Sequence, residues 1–140
     1  MHYDFDIEIP AITPYEERVE HTLKLNYGVL RRVWIYFRGG CADLAHIQIW
    51  RQETQIFPFN PKGSYAFDNY VVEFEEYYPI LEVPYEIKVK VWNDDDYFDH
   101  TITVMFLVLS PATAAATTLA PTTEEELKAL LGEYEMAGGG

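Results

Sequence analysis

The sequence has few basic residues, a single cysteine and no long apolar run, and each shortage argues against a class of protein. Ten Lys and Arg stand against 23 Asp and Glu in 140 residues, which gives a formal net charge of −13. Such a chain repels phosphate backbones and lacks the basic stripe that releases counterions, so nucleic acid is not expected as a partner. Because Cys41 is the single cysteine, no disulfide can form within the chain.

The sequence also lacks the marks of export and of membrane insertion. Its first ten residues, MHYDFDIEIP, contain neither a basic region nor an apolar stretch of the kind found in Sec-type signals. The most apolar segment, ITVMFLVL at 102–109, is much shorter than the roughly 18 residues of a membrane helix. We therefore expect no membrane partner and synthesis in a cytoplasm, which for a virus is that of the host.

What the chain does contain is an abundance of aromatic and alternating residues. Aromatic side chains make up 16% of the sequence, and they favour strands and contribute much of the burial energy of cores and interfaces. Period-2 alternation of apolar and polar residues predicts half-buried strands separated by Gly, Pro, Asn and Asp turns. The predicted strands are 3–9, 19–26, 29–37, 44–51, 70–76, 85–92 and 100–109. This pattern predicts an all-β antiparallel sandwich or barrel over 15–109, jelly-roll-like or immunoglobulin-like.

The two ends of the chain differ from this central domain. Residues 1–14 contain the predicted strand 3–9 and two prolines, and they are predicted to form an N-terminal strand or arm. Residues 110–122 are rich in Ala, Thr and Pro and are predicted to be a linker. Residues 123–136 are predicted to form a short amphipathic helix, followed by a flexible tail at 137–140. Its apolar stripe, at helical spacing, is the predicted partner-binding surface: Leu127, Leu130, Leu131 and Tyr134.

Few residues in the sequence suggest metal chemistry. The acidic run Asn93–Asp96 with Asp99 offers several oxygens to calcium, but it lacks the spacing and the turn glycine of an EF-hand, so a solvated hairpin turn is the preferred interpretation. His2, His21, His46 and His100 lie too far apart in the sequence to form the spaced pairs typical of zinc sites. The sequence therefore predicts no metal ligand and no cofactor.

Catalytic residues are equally poorly indicated. Cys41 follows Gly39-Gly40 without a signature of a cysteine hydrolase, and a half-buried structural thiol is the simpler interpretation. Glu73 and Glu75 fall on one face of a strand, as a glycosidase pair might, but an acidic strand more often turns such a face to solvent. We expect a protein without enzymatic activity and assign no catalytic residue.

A set of large rings is the other candidate for binding. We expect a candidate aromatic interface at Trp34, Trp50, Trp92, Phe57 and Phe59. As an alternative, the tryptophans could form a sugar-stacking platform, since rings that do not pack in the core are available for binding. That platform would also include Tyr70, Tyr77, Tyr78 and Tyr85.

The stretches NYGVLRRVWIYFRGGCADLAHIQIWR and PYEIKVKVWNDDDYFDHTITVMFLVL, within residues 25–109, resemble small β-rich structural proteins of tailed bacteriophages, and most of all the capsid decoration (cement) proteins. The resemblance implies a virion protein without catalytic residues. It would be a homo-oligomer, with a trimer favoured, that binds the major capsid protein or another virion protein through extended arms. The alternative function is that of a carbohydrate-binding or adhesin-like module.

Overall fold

Alternating apolar and polar residues form eight strands in the computed structural model, which describes residues 1–116. The strands pair in two antiparallel sheets of four strands each, so the prediction of an all-β sandwich is confirmed. They are β1 (His2–Ile9), β2 (Val19–Lys24), β3 (Gly28–Phe37), β4 (Ala45–Arg51), β5 (Thr54–Phe57), β6 (Tyr70–Ile80), β7 (Glu86–Asn93) and β8 (His100–Leu109).

The strand order identifies the type of sandwich. The first sheet has the order β1-β8-β3-β6 and the second sheet the order β2-β7-β4-β5. In an immunoglobulin fold the first two strands pair within one sheet, whereas here β1 and β2 belong to different sheets. Two sheets of four strands in the orders 1-8-3-6 and 2-7-4-5 form a jelly roll, in which β4 and β5 are the one consecutive pair of described strands within a sheet, and this decides between the two predicted topologies.

The core lies between the two sheets and is built from every second residue of each strand. Ile7 and Ile9 point inward while Asp6 and Glu8 point to solvent, as the alternation of β1 predicts. Full burial of one such aliphatic side chain contributes about 1.5 to 3 kcal/mol. The largest fully buried side chains are Phe37, Phe106, Ile9, Leu30, Ile35, Ile47, Ile49, Ile80, Ile87 and Ile102.

Two strands depart from the sequence prediction. Residues 53–69 are predicted to be irregular, yet Thr54–Phe57 form β5, because a tight turn at Gln52, whose φ is 54°, folds them back on β4. Strand β6 continues through Pro79 to Ile80 instead of ending near residue 76. Because β6 is the edge strand of the first sheet, the missing N–H of proline costs it no bond to a further strand.

The ends of the described chain are also more ordered than predicted. The N-terminal strand pairs with β8 along its whole length, so residues 2–9 form part of the first sheet and not a free arm. Within the predicted linker, Pro111–Ala116 form the helix α1, whose Ala114 is buried. Proline suits the first position of a helix, and the Ser110 hydroxyl accepts a bond from the Thr113 N–H. The predicted helix 123–136, with Leu127, Leu130, Leu131 and Tyr134, and the tail 137–140 lie outside the described residues.

No helix among residues 1–116 is long and apolar enough to cross a bilayer.

Candidate functional site

The structure distributes the predicted aromatic residues over several surfaces. Trp34 lies on the outer face of the first sheet, since its neighbours Val33 and Ile35 point into the core. Trp50 and Trp92 lie on the outer face of the second sheet, on the opposite side of the sandwich. The five rings of the predicted interface therefore do not form one surface.

A groove beside Trp50 brings several of these features together. It has a volume of about 490 Å³, which lies in the range of small-molecule sites. Trp50 projects from β4, and its cross-strand partner Gln55 projects from β5. A short 3₁₀ turn, Tyr15–Glu17, and the loop after β5 supply the remaining walls. The described lining residues, here called the aromatic groove, are Tyr15, Arg18, Trp50, Glu53, Thr54, Gln55, Phe59, Pro61 and Lys62.

Several parts of the groove are held in place by Gln48, a fully buried side chain on β4. Its amide oxygen accepts bonds from Arg18 Nη1 at 2.7 Å and from Trp50 Nε1 at 3.3 Å. Its amide nitrogen donates to the carbonyl of Gly63 at 2.9 Å, which anchors the loop after β5. One glutamine thus sets the positions of a cation, a ring and a loop around the groove.

Next to the groove, Trp92 is covered on both sides and is not available for binding. His46 stacks on it with ring centroids 4.6 Å apart, and Tyr15 meets it edge-on at 5.0 Å. Burial lowers the pKa of His46, and this effect outweighs the attraction of Asp94, whose carboxylate lies 3.0 Å from Nε2. Trp92 therefore supports Tyr15 from below.

The cations around the groove face rings and not carboxylates. Lys90 Nζ lies 3.7 Å from the centroid of the Trp50 ring, and the guanidinium carbon of Arg18 lies 4.1 Å from that of Tyr15. Within residues 1–116 neither of these cations, nor Lys62, makes an ion pair with a carboxylate. On a chain of net charge −13, the described lining of this groove thus holds two cations, Arg18 and Lys62, against the one carboxylate of Glu53, and Lys90 lies beside it.

A second candidate surface lies at the end of the sandwich, in the loop between β7 and β8. The fully buried Asn93 side chain donates to the carbonyls of Ile9 and Phe98 and accepts the Asp95 N–H. Asp95 in turn accepts the N–H groups of Tyr97 and Phe98 and contacts His100 Nε2 at 2.8 Å. The bonds from the Tyr97 amide and from His100 lower the pKa of Asp95. The acidic run is thus a hydrogen-bonded turn.

That turn presents large apolar side chains to solvent. Tyr97 is 84% exposed and Phe98 is 67% exposed. Ile12, 68% exposed, stands beside them because its N–H donates to the carbonyl of Asp95 at 2.9 Å. Ile12 also adopts a φ of 55°, which is unfavourable for a β-branched residue and is held by this bond. Ile12, Tyr97 and Phe98 are called the loop tip below.

No protein-family model, curated protein or solved structure matches this chain. The chemistry of its surfaces is therefore the guide to its function.

A further groove opens between the edge strands β5 and β6 and has a volume of about 610 Å³. Phe57 is nearly buried there and packs edge-on against Phe74, with centroids 5.0 Å apart, whereas Phe59 is 84% exposed. Phe59 borders this edge groove as well as the aromatic groove. Of the predicted interface, Trp50 and Phe59 share one groove and Phe57 and Phe59 share the other.

The residues considered for catalysis or metal binding occupy structural positions. Cys41 is buried, and this burial, followed by the charge of Asp68, raises the pKa of its thiol. Arg32 forms ion pairs with both Glu73 and Glu75, so the two carboxylates are held by a cation. In the part of the chain that the structure describes, no group of three or more His, Cys, Asp or Glu side chains is arranged to hold a metal ion.

Sequence reasoning did not find Tyr15, Arg18, Glu53, Gln55 or Lys62, which come from turns, loops and the short strand β5. The local pattern Tyr15 to Arg18, a ring and a cation three residues apart, is a weak signal for the pair. The sequence prediction for the loop between β7 and β8 rests on its acidic residues alone, although the same segment contains Tyr97 and Phe98. Two exposed rings in a loop are a stronger signal of binding than its carboxylates.

Proposed function

We propose that this chain is a non-enzymatic structural and assembly protein, a capsid decoration protein of a tailed bacteriophage. In this role a homo-oligomer, most simply a trimer, stabilises a shell by docking on the major capsid protein. The jelly roll is compatible with the proposal, because this fold occurs among viral capsid domains, but it also occurs in lectins and cupins. The fold alone therefore does not carry the proposal.

The observation that carries the proposal is the loop tip. Scattered apolar residues are ordinary on a protein surface, but Ile12, Tyr97 and Phe98 stand on backbone segments joined at Asp95. Because the turn is already held by hydrogen bonds, docking would require little further ordering. Rings at the centre of an interface commonly supply most of its binding energy.

The charge around the tip indicates which surface it would meet. Asp96 is exposed beside Tyr97, Asp99 binds the amide of Ala11, and Asp94 is half exposed next to His46. A second acidic copy of this chain would be repelled there, whereas a shell subunit with an apolar pocket and a basic rim would be attracted. The tip is therefore assigned to the shell.

Co-sedimentation with phage heads purified without the chain tests this assignment. The double variant Tyr97→Ser/Phe98→Ser should bind the heads at least about tenfold more weakly than the unmodified chain, a loss of about 1.4 kcal/mol. The matched control is Leu81→Ser/Val83→Ser, which removes two exposed apolar side chains at the opposite end of β7 and should bind normally. Equal binding of all three proteins, or no binding of any, would contradict the proposal.

Light scattering measures the proposed oligomer separately. The full chain should have the mass of three copies, and deletion of residues 117–140 should leave a folded domain that associates more weakly. The reason is that the sequence pattern of 123–136 predicts an apolar stripe on a helix too short to be stable without a surface that covers it. A monomer at every concentration, with and without these residues, would count against the oligomer.

A second candidate function, a carbohydrate-binding or adhesin-like module, is favoured by the aromatic groove. Trp50, Tyr15 and Phe59 border a groove of about 490 Å³ that also contains Glu53, Thr54 and Gln55. Rings contact the apolar faces of a sugar while polar side chains bind its hydroxyl groups, a combination typical of ligand sites. On a glycan array, Trp50→Ala should weaken binding strongly, whereas Trp34→Ala, on the opposite face, should leave it unchanged.

A further inference from the structure

The charges of the aromatic groove specify its ligand more closely than the rings do. We infer that the groove binds an acidic saccharide, a sugar that carries a carboxylate, sulfate or phosphate group, and not a neutral one. The inference rests on the second candidate function above and names its ligand class. It is independent of the proposed role of the loop tip.

The first step is the contrast between the groove and the rest of the surface. Arg32 and Arg38 on the first sheet, and Lys24 and Lys88 on the second, each form an ion pair with at least one carboxylate. Arg18 and Lys62, which line the groove, and Lys90 beside it form none within residues 1–116, although acidic residues outnumber basic ones by more than two to one. Arg51, elsewhere on the surface, also lacks a carboxylate partner among these residues but donates to the backbone carbonyl of Glu82. Positive charge at the groove is therefore left for a ligand.

The second step is the position of these cations relative to the rings. Lys90 covers one face of Trp50 at 3.7 Å, so a ligand can stack only on the other face or along the edge of that ring. Lys62 is exposed on the loop after β5, and its φ of 63° belongs to the turn that brings this loop over the sheet. A ligand in the groove would thus have Lys90 behind the Trp50 ring and Lys62 among the residues that line its own side of the groove.

The third step separates a saccharide from other anions. A nucleotide or polyphosphate would carry several negative charges, and it would meet both Glu53 in the groove and the charge of −13 on the whole chain. An acidic sugar carries about one charge per ring and presents hydroxyl groups that the Glu53 carboxylate can accept from. Its ring also offers an apolar face to Trp50, Tyr15 or Phe59.

The test is a glycan array that prints every acidic glycan beside its neutral parent, such as a uronic acid beside its methyl ester and a sulfated glycan beside the unsulfated one. The full chain should bind the acidic members at least about tenfold more tightly than their parents, a difference of about 1.4 kcal/mol. This preference should shrink as salt rises from about 50 to 200 mM, because screening weakens exposed charge pairs.

Two variants and one control assign the effect to the groove. Lys62→Gln should reduce the preference for acidic glycans, because it removes a positive charge from the groove. It should leave the residual binding of neutral glycans, because Lys62 makes no ion pair among the described residues whose loss could disturb the groove. Trp50→Ala should weaken the binding of both kinds, and Lys24→Gln, on the same sheet but paired with Glu86 and away from the groove, should change neither. Melting temperatures close to that of the unmodified chain would show that the variants fold.

The outcomes are distinguishable. Equal binding of acidic and neutral glycans would overturn this inference and leave the carbohydrate-binding function standing. Absence of binding to any glycan would overturn both. Tighter binding of a uridine monophosphate or a glutamate-rich peptide than of any acidic glycan, when these are added as competitors, would overturn the inference in favour of another class of anion.

Discussion

The outer faces of the two sheets each present a half-buried tryptophan next to a cation, but the two cations have different partners. On the first sheet, Arg32 lies 5.7 Å from the Trp34 ring and is held by Glu73 and Glu75. On the second sheet, Lys90 lies 3.7 Å from the Trp50 ring and makes no ion pair among the described residues. A tryptophan beside a cation thus occurs on both faces, but within residues 1–116 the cation is paired with carboxylates on the first sheet and is not paired with a carboxylate on the second.

The difference arises from what the neighbouring strand contributes. Strand β6, beside Trp34, places Glu73 directly opposite it and Glu75 opposite Arg32, so the acidic strand neutralises the face. Strand β5, beside Trp50, contributes the uncharged Gln55, and Glu20, which lies opposite Lys90 on β2, pairs with Lys88 at 3.6 Å and not with Lys90. A ring and a cation on one outer face therefore indicate a ligand site only when the neighbouring carboxylates leave the cation unpaired.

The largest effect in this comparison is expected from removing Gln48, which has no counterpart of equal burial on the outer face of the first sheet. Gln48→Leu removes the acceptor of Arg18 and Trp50 and leaves the Gly63 carbonyl with its bond from Gln55 alone, so we expect it to lower the free energy of unfolding by about 2 to 3 kcal/mol. Urea denaturation measures this loss.

The matched control on the first sheet is Thr103→Val, which keeps the shape of the side chain. It removes one hydroxyl that donates to Asp6 and accepts from Arg38, and it should cost about 1 kcal/mol. A loss of stability for Gln48→Leu no larger than that for Thr103→Val would show that the hydrogen bonds of Gln48 do not stabilise the second face more than those of Thr103 stabilise the first.

Much of the fold, and little of this contrast, was predictable from the sequence. Alternation located seven of the eight strands, because a half-buried strand must alternate, as Ala45, Ile47 and Ile49 do against His46 and Gln48. The run 29–37 is rich in β-branched and aromatic residues, which favours a central strand, and β3 lies between β8 and β6. Strand β5 was missed because four residues next to a proline give no periodic signal.

The candidate site was harder to predict from the sequence, because it depends on strand register and on contacts made by loops. Grouping Trp34 with Trp50 and Trp92 followed from residue type, but only strand order shows that Trp34 lies on the other side of the sandwich. The contact of Gln48 with Gly63 joins a strand to a loop 15 residues later. No local pattern in one sequence encodes such a contact.

A smaller effect should follow from altering the ion-paired face. Arg32→Gln leaves Glu73 and Glu75 without their cation, and we expect a loss of about 0.5 to 1 kcal/mol at low salt. This loss should diminish in about 1 M salt, which screens the repulsion between the two carboxylates. Urea denaturation at the two salt concentrations measures it.

The matched change on the second face is Lys90→Gln, which removes a cation from a ring and should cost no more than about 1 kcal/mol. Because no carboxylate pair is released there, its cost should depend less on salt. An equal salt dependence of the two variants would mean that both faces are stabilised by the same kind of charge pairing.

The smallest expected effect is the dependence of the unfolding free energy on pH, through His46 on the outer face of the second sheet. Burial against Trp92 lowers the pKa of His46, so the folded protein favours the neutral imidazole. The contribution is complete above the ordinary histidine pKa near 6.5. As pH falls below that value, the unfolded chain takes up a proton first, and stability is lost until the lower folded pKa is passed. We therefore expect His46→Phe, which keeps a ring on Trp92, to flatten the dependence of the unfolding free energy on pH between about 7 and 5. An unchanged slope in urea denaturation at these pH values would show that His46 is not the group that makes the second face sensitive to acid.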